Sequence, residues 1–430
     1  MTVSIAPSLG QPESIRVTRQ GTRAQEIEHK PQHGASGSSS TRKPRVVLAH
    51  DWTVGVRGGE HVLERIAGVV SRRHDVADLL TMFDSGVSIG PCVDALKRHV
   101  SDVGELPEAN LLRRWLLPAY PFAVGSLSRT LSHLHEHTPI DLVISTSSSA
   151  IKNLRIPSGV KHVCYCHSPA RYLWSQRDES AAGIARFGLK LAGAPLRYWD
   201  KHGSQHVTRF IANSSHVQQE IQRCFHQDAD VIHPPVQTSF FTPSNASEVE
   251  TDTKVLTHEL SLSHALLSQP FLLYVAALEP YKRVDLAIDA ALVAGLPLLI
   301  AGHGSQASEL QARYNGIPGL HLLGKVSNPA LRALYRKAHA LIFPQIEDFG
   351  MIAAEAQACG CPVIARRKGG ALDIVRDHET GIFFDDPDPS QIAACVRDVA
   401  RISRSVCSVH AQQFSEHRFD TALIRVINTI

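Results

Sequence analysis

The stretch that decides the fold reads QIEDFGMIAAEAQACGCPVIA, from Gln345 to Ala365. The apolar residues 340–343 before it predict a buried strand. An acidic loop follows, and residues 351–358 are then predicted to form a helix that Gly360 stops. Residues 363–365 resume as a strand. This order of strand, loop, helix and strand is typical of a parallel α/β sheet.

Two carboxylates lie within this stretch. Glu347 is expected on the loop at the carboxyl end of a strand, where ligands bind in open α/β sheets. Glu355 is expected on the helix behind that loop. Carboxylates with helix amide groups between them suit a ligand that carries both hydroxyls and phosphates.

The same alternation extends outward in both directions. The predicted strands are 45–49, 76–82, 142–145, 162–166, 210–212, 271–275, 298–301, 321–323, 340–343, 363–365 and 381–384. Helical patterns lie between them, which predicts an α/β protein with two doubly wound, Rossmann-like parallel sheets.

Changes in composition suggest the domain limits. Residues 1–43 are rich in Ser, Gly, Gln and Arg and are predicted to be a disordered tail. We expect an N-terminal domain over 44–250 and a C-terminal domain over 251–410, with the polar residues 244–268 as a linker between them. A last helix within 411–430 could pack back across the domain boundary.

The composition excludes several classes of protein. The formal charge of +3 over 430 residues gives no bulk attraction to nucleic acid. The eight cysteines include no C-x-x-C pair, so we expect reduced structural thiols and no metal site. The N-terminus has no apolar signal core, and no segment reaches the roughly 18 apolar residues of a membrane span. These features predict a cytoplasmic protein.

Other polar residues follow predicted strands. His50-Asp51-Trp52 follows the first strand and leads into Gly58-Gly59 before a helix. Paired glycines let the backbone approach a phosphate or a sugar, although a simple turn explains them equally well. His167 follows the strand over 162–166, and Lys282 follows the strand over 271–275.

Two apolar segments carry basic residues. Trp115 to Pro118 follows Arg113 and Arg114, and Ile184 to Trp199 contains three further basic residues. Each segment is either a helix that faces the core or a contact with anionic lipid at the cytoplasmic face of the inner membrane.

The ordered motifs resemble those of the retaining family-4 glycosyltransferases. Glu347 and Glu355, with Phe349-Gly350 between them, resemble the E-x7-E signature of that family. Further motifs in family order are Asn213-Ser214-Ser215, residues 231–236, Lys282, Gly302-His303-Gly304 and Gly324-Lys325-Val326. The resemblance covers about 44–425 and implies the GT-B architecture, in which two Rossmann-like domains face each other across a cleft.

The resemblance also implies roles for individual residues. It implies a nucleotide-sugar donor, with His167, Lys282 and Glu347 as catalytic residues. The implied donor-binding residues are Gly58, Gly59, Lys282, Arg283, Gly302, Val326, Phe349, Gly350 and Glu355. The implied acceptor-binding residues are His50, Asp51 and Trp52. No cofactor or metal ion is expected, because Lys282 and helix dipoles can stabilise charge on a leaving phosphate.

One position departs from the family pattern. Many members have an arginine five residues before the lysine, and here that residue is Ala277. Either Lys282 acts alone, or another base such as Arg283 or Arg57 substitutes for the arginine.

A narrower resemblance is to bacterial O-antigen and exopolysaccharide mannosyltransferases. It rests on His50-Asp51-Trp52 with residues 57–60, on residues 165–169 with Arg171-Tyr172, and on residues 280–286. It implies GDP-mannose as the donor and a polyprenyl-diphosphate-linked saccharide as the acceptor. A UDP-sugar donor stays open, as do a sugar-nucleotide epimerase or hydrolase and a binding module without catalysis.

Overall fold

The computed structural model describes residues 42–113, 115–175 and 184–430, and it describes no side chains over 184–192. Almost all of the segment predicted as a disordered tail, 1–43, lies outside the described residues. The described chain contains two parallel sheets, each flanked by helices. The two-sheet architecture predicted from the sequence is thereby confirmed.

Seven strands build the first sheet. They are β1 Arg45–Thr53, β2 Asp75–Asp84, β3 Lys97–Val100, β4 Leu142–Ser147, β5 Lys161–Cys166, β6 Arg209–Ala212 and β7 Ala229–Val231. All are parallel, in the order β3-β2-β1-β4-β5-β6-β7. The order reverses beside β1, so β1 and β4 form the switch point at which ligands bind in such sheets.

Helices cover this sheet on both faces. They are α1 Gly58–Ser71, α2 Pro91–Asp94, α3 Ala109–Leu112, α4 Tyr120–His137, α5 Arg171–Trp174, α6 Ile184–Gly203 and α7 Ser215–Phe225. Because helices cover both faces, β1 carries a continuous apolar run, in which residues 46–49 are fully buried.

Six strands build the second sheet. They are β8 Leu272–Val275, β9 Leu298–Ala301, β10 Leu320–Gly324, β11 Ala340–Phe343, β12 Val363–Arg366 and β13 Gly381–Phe384. They are parallel, in the order β10-β9-β8-β11-β12-β13. β8 and β11 form the switch point of this sheet, and each leads into a loop that carries a predicted catalytic residue.

The remaining helices follow the first sheet in the chain. They are α8 Glu248–Leu260, α9 His264–Leu267, α10 Val284–Ala294, α11 Ala307–Tyr314, α12 Asn328–Lys337, α13 Met351–Ala358, α14 Ala371–Ile374, α15 Pro389–Asp398, α16 Arg404–Ala411 and α17 Glu416–Asn428. α13 has the bounds that the sequence predicted.

The segment predicted as a linker contains α8, which packs against the second sheet's helices. Leu256 is fully buried in that core. Asp252 is also buried and pairs with Arg336 of α12 at 3.1 Å. The polar composition of α8 therefore reflects an amphipathic helix within the segment predicted as a linker.

The last helix, α17, returns to the first sheet. Phe419, Leu423 and Val426 lie in the core formed by β1 and α1. Arg65 of α1 binds the carboxylate of Asp420 at 2.7 and 2.8 Å. Residues near the end of the chain thus complete the core of its first half.

Candidate active site

The loop after β11 meets the first half of the chain at Asp348. Arg171, the first residue of α5, donates a side-chain hydrogen bond to the Asp348 carboxylate. The hydroxyl of Ser214 donates to the backbone carbonyl of Asp348. The loop that carries Glu347 is therefore held against loops at the carboxyl ends of β5 and β6.

A second contact between the halves lies beside the first. Asp373 accepts hydrogen bonds from the backbone amide of Ser215 at 2.7 Å and from His233 at 3.0 Å, with the proton on Nε2 of that ring. The His233 ring stacks on Phe349, with 5.4 Å between the ring centroids. Phe349 is itself buried against Phe414. Phe349 thus lies in the packing that joins the halves.

Lys282 and Glu347 are in direct contact. Lys282 ends a short 3-10 turn after β8, and its ammonium group donates to Glu347 Oε1. The hydroxyl of Tyr274 holds the turn by donating to the Lys282 carbonyl at 3.0 Å. These two predicted catalytic residues are 65 positions apart in the sequence, and the β8–β11 switch point brings them together.

Gly350 allows α13 to begin at this loop. Its φ of +107° lies in the left-handed region, and a Cβ there would lie 2.8 Å from the Phe343 ring. The first turn of α13 lies close to Gly58 of the other half, where an added Cβ would be 3.2 Å from the sulfur of Met351. Gly58 and Gly59, predicted to precede a helix, are the first two residues of α1. The N-termini of α13 and α1 therefore line the same space.

His167 lies beside Gly59 in the first turn of α1. A Cβ on Gly59 would be 3.6 Å from His167 Nε2 and 3.8 Å from the His50 ring. Among the described residues, Nε2 of His167 is a buried nitrogen without a hydrogen-bond partner. Burial and the neighbouring His50 lower the pKa of His167 to about 3, so the ring is neutral and able to bind a ligand through Nε2.

His50, Asp51 and Trp52, the predicted acceptor residues, have different surroundings. His50 lies beside Thr146 of β4, 2.6 Å from its hydroxyl, and 3.8 Å from the Glu60 carboxylate. Asp51 is buried and accepts backbone hydrogen bonds from all four residues of 148–151 at 2.6 to 2.8 Å. Trp52 packs on the core between the first sheet and α4. Both side-chain oxygens of Asp51 are therefore occupied by amides of its own chain.

Glu355 lies one turn into α13. Its nearest hydrogen-bonding partner is the Tyr335 hydroxyl, which donates at 3.4 Å. Burial raises the pKa of Glu355 to about 7, and the Tyr335 hydrogen bond only partly opposes this effect. The carboxylate thus keeps lone pairs that a diol could use.

Three other predicted donor residues lie at ends of second-sheet elements. Arg283 has a φ of +56° and pairs with Asp285 at 3.0 Å, close to solvent. Gly302 follows β9 and donates its amide to the Gly324 carbonyl at 2.7 Å. Val326 follows β10 and packs on the second core. The guanidinium of Arg283 is therefore already neutralised by a neighbour.

Two residues that the sequence analysis did not assign to the site belong to it. Asp348 joins the halves, and Glu60 lies beside His50. Burial raises the pKa of Glu60, but His50 and the amide of Arg57 outweigh that effect and hold the pKa below its ordinary value. The motif Arg57-Gly58-Gly59-Glu60 contained the signal for Glu60, since an acid at this position can cap α1.

Two further properties bear on ligands and location. Within the described residues, no group of three or more His, Cys, Asp or Glu side chains could hold a metal ion. Over the same part of the chain, every helix is too short or too polar to cross a bilayer.

Known protein families match most of this architecture. Residues 56–240 match the family described as Glycosyltransferase Family 4, and residues 263–410 match Glycosyl transferases group 1. The first match spans β2 to β7, and the second spans β8 to β13.

Curated proteins similar to this chain include two D-inositol 3-phosphate glycosyltransferases. The protein of Mycolicibacterium vanbaalenii is 30% identical over 276 residues, which are 56% of this chain and 58% of that protein. The protein of Thermomonospora curvata is 30% identical over 221 residues, 45% of this chain and 49% of that protein. The chain thus spans about half the length of these relatives. The narrower resemblance to mannosyltransferases stays a prediction.

Solved glycosyltransferase structures share the fold. Sucrose-phosphate synthase from Thermosynechococcus elongatus has a TM-score of 0.68 at 18% identity, covering 90% of this chain and 98% of that chain. HepE from Anabaena, in complex with UDP, has a TM-score of 0.65 at 15% identity, covering 90% and 100%. The GT-B architecture predicted from the sequence is confirmed.

Proposed function

We propose that the protein is a retaining hexosyltransferase that moves mannose from GDP-mannose to a polyprenyl-diphosphate-linked saccharide in bacterial surface polysaccharide synthesis. The observation that carries the transferase part is the contact between Lys282 and Glu347. It puts a cation and a carboxylate side by side at the switch point of the second sheet, on a loop held by Arg171 and Ser214 of the first. The carboxyl ends of both sheets converge there.

Each group has a chemical role in this proposal. Lys282 neutralises negative charge that develops on the leaving diphosphate, which is the largest electrostatic need of the reaction. Glu347 then exchanges Lys282 for hydroxyls of the donor sugar, and Glu355 accepts from the ribose diol. Neutral His167 offers Nε2 to the sugar near the reacting centre. Backbone amides come from the N-terminus of α13, with Gly350, and from the N-terminus of α1, with Gly58 and Gly59.

The first-sheet residues support the acceptor side. Asp51 is proposed to hold the 148–151 loop in place, because its oxygens are occupied by that loop's amides. His50 and Trp52 are left to contact the acceptor. The reaction needs no metal ion in this proposal, since Lys282 and the α13 dipole carry the electrostatic role.

The donor base has two candidates. GDP-mannose rests on the mannosyltransferase-like motifs. A UDP-sugar donor is the second candidate, because the HepE structure was solved with UDP. The D-inositol 3-phosphate glycosyltransferases raise a phosphorylated polyol as another acceptor class.

A thermal-shift screen tests the donor. A bound nucleotide sugar raises the melting temperature by mass action, so GDP-mannose is expected to give a shift that grows with concentration. Lys282→Ala should lose that shift. Lys254→Ala should keep it, because Lys254 is an exposed lysine paired with Glu250 on α8. A shift with UDP-glucose and none with GDP-mannose would contradict the donor assignment.

Product analysis tests the reaction class. With a lipid-linked saccharide present, label from the donor should appear in the lipid; release of free sugar alone would indicate a hydrolase. Glu347→Gln is expected to lose most turnover without trapping a glycosyl-enzyme. Mass spectrometry that finds a stable adduct on Glu347 of the native protein would overturn the positioning role.

A lipid-linked acceptor implies contact with the membrane surface. An exposed apolar patch on the first half consists of Leu111, Leu112, Trp115 and Phe122, with exposed fractions of 77%, 47%, 61% and 75%. Exposed aromatic and leucine side chains in one stretch of chain are typical of an interfacial contact. We propose that this apolar patch rests on the cytoplasmic face of the inner membrane.

A further inference from the structure

We propose that Arg171, from the first half of the chain, is the second cation of the diphosphate site, paired with Lys282 of the second half. This inference rests on the proposed function, because it presumes a nucleotide-diphosphate donor. It assigns a substrate contact to a residue of the opposite sheet.

A nucleotide sugar carries a negative charge on each of its two phosphates, and Lys282 supplies one positive charge. The bases near Lys282 in sequence do not supply the other. Ala277 has no charge, and Arg283 is paired with Asp285, two residues along the same chain, near solvent. A cation from the first half of the chain would add the second positive charge to that of Lys282 and to the α13 dipole.

Arg171 lies where that cation is needed. Lys282 is bound by Glu347, and Arg171 is bound by the next residue, Asp348. Burial lowers the pKa of Arg171, but the charges of Asp348 and Glu347 outweigh it and keep the pKa above its ordinary value, so both carboxylates act on this guanidinium. Two consecutive acids of one loop thus bind two cations, one from each half of the chain.

The turn that carries Arg171 is rigidly anchored. The Tyr172 hydroxyl lies 2.7 Å from that of Ser149, and the indole of Trp174 donates to Asp200 at 2.8 Å. Leu173 is buried. Arg171 alone of the four α5 residues points to the other half, with 28% of its side chain exposed. A guanidinium held in this way is preorganised for bidentate contact with phosphate oxygens.

The competing explanation is structural. Arg171 could serve only to hold the halves together through Asp348. The two explanations differ in the role of Asp348. If Arg171 only joins the halves, Asp348 is required for nucleotide binding. If Arg171 binds phosphate, Asp348 competes with the ligand for Arg171.

Calorimetric titration of the full chain with matched nucleotides separates them. The readout is the ratio of the dissociation constants for GMP and GDP, with UMP and UDP as the parallel pair. Arg171→Gln should reduce this ratio by about tenfold, or about 1.4 kcal/mol, through weaker diphosphate binding alone. Asp348→Asn should leave GDP binding equal or tighter. Arg209→Ala, at an exposed pair with Asp230, is the control and should change neither constant.

The outcomes are distinct. An unchanged ratio in Arg171→Gln overturns the inference, and so does an Asp348→Asn variant that loses diphosphate affinity as Arg171→Gln does. If Arg171→Gln does not fold, Arg171→Lys replaces it and should retain most of the ratio, whereas a ratio as low as that of Lys282→Ala overturns the inference. Failure of the unaltered protein to bind any of the four nucleotides would instead reject the proposed function.

Discussion

Burial in the folded protein changes the pKa of Glu355. Its ordinary pKa of 4.5 is raised to about 7, so between these values the folded protein binds more protons than the unfolded chain. Stability should therefore fall as pH rises from about 4.5 to 7. Glu355→Gln should remove this fall. At pH 8 we expect the variant to melt several degrees above the native protein, since 1 kcal/mol shifts a domain of this size by about 2–4 °C.

Melting curves from pH 5 to 8 without nucleotide check this expectation. Glu379→Gln, at an exposed surface pair, provides the comparison. Parallel curves for Glu355→Gln and the native protein would show that burial of Glu355 has no energetic consequence.

Sequence reasoning at the residue scale found groups but not their partners. Lys282 and Glu347 were predicted separately, and only the switch point of the second sheet shows that they pair. The role of Asp51 could not be read from the sequence, because its four amide donors lie 97 to 100 residues away. Arg171 was visible only as part of a motif, since its partner is 177 residues distant.

At the scale of elements, α3 and α4 carry three of the four residues of the apolar patch. Phe122→Ser with Trp115→Ser should weaken binding to vesicles that contain phosphatidylglycerol by at least about tenfold, because each large side chain contributes about 1.5–3 kcal/mol when buried in lipid. Flotation of the full chain with such vesicles measures the effect.

Val409→Ser is the matched control for this experiment. Val409 is also apolar and 73% exposed, but it lies on α16 of the second half. Equal loss of binding in both variants, or no loss in the double variant, would show that the apolar patch is not the membrane contact.

Periodicity predicted the buried strands but missed both edge strands of the first sheet. All eleven predicted strands are present, because buried parallel strands form apolar runs. β3 and β7 were missed: β3 reads Lys-Arg-His-Val and β7 has three residues, so neither carries a buried run. The charged residues of α8 concealed its two buried positions, Asp252 and Leu256.

At the scale of the whole molecule, the first half depends on α17. Leu423→Ala should destabilise that half by about 2–5 kcal/mol, because Leu423 is fully buried in the core of β1 and α1. All four tryptophans lie in the first half, so their fluorescence reports its unfolding in urea.

Leu292→Ala, at an exposed leucine on α10, should change the free energy of unfolding from the same measurement by less than about 0.5 kcal/mol. An unchanged fluorescence midpoint in Leu423→Ala would mean that the first half folds without α17. The sequence suggested a helix that crosses back, but only the tertiary structure shows that this helix packs against α1.

The return of α17 also sets an order of events during translation. Domains commonly fold in turn as they leave the ribosome. Here the core around β1 still lacks Phe419, Leu423 and Val426 when the first sheet has emerged, so the apolar surface that these residues cover stays exposed until residues 416–428 are synthesised. The first half therefore reaches its full stability only after the second has been synthesised.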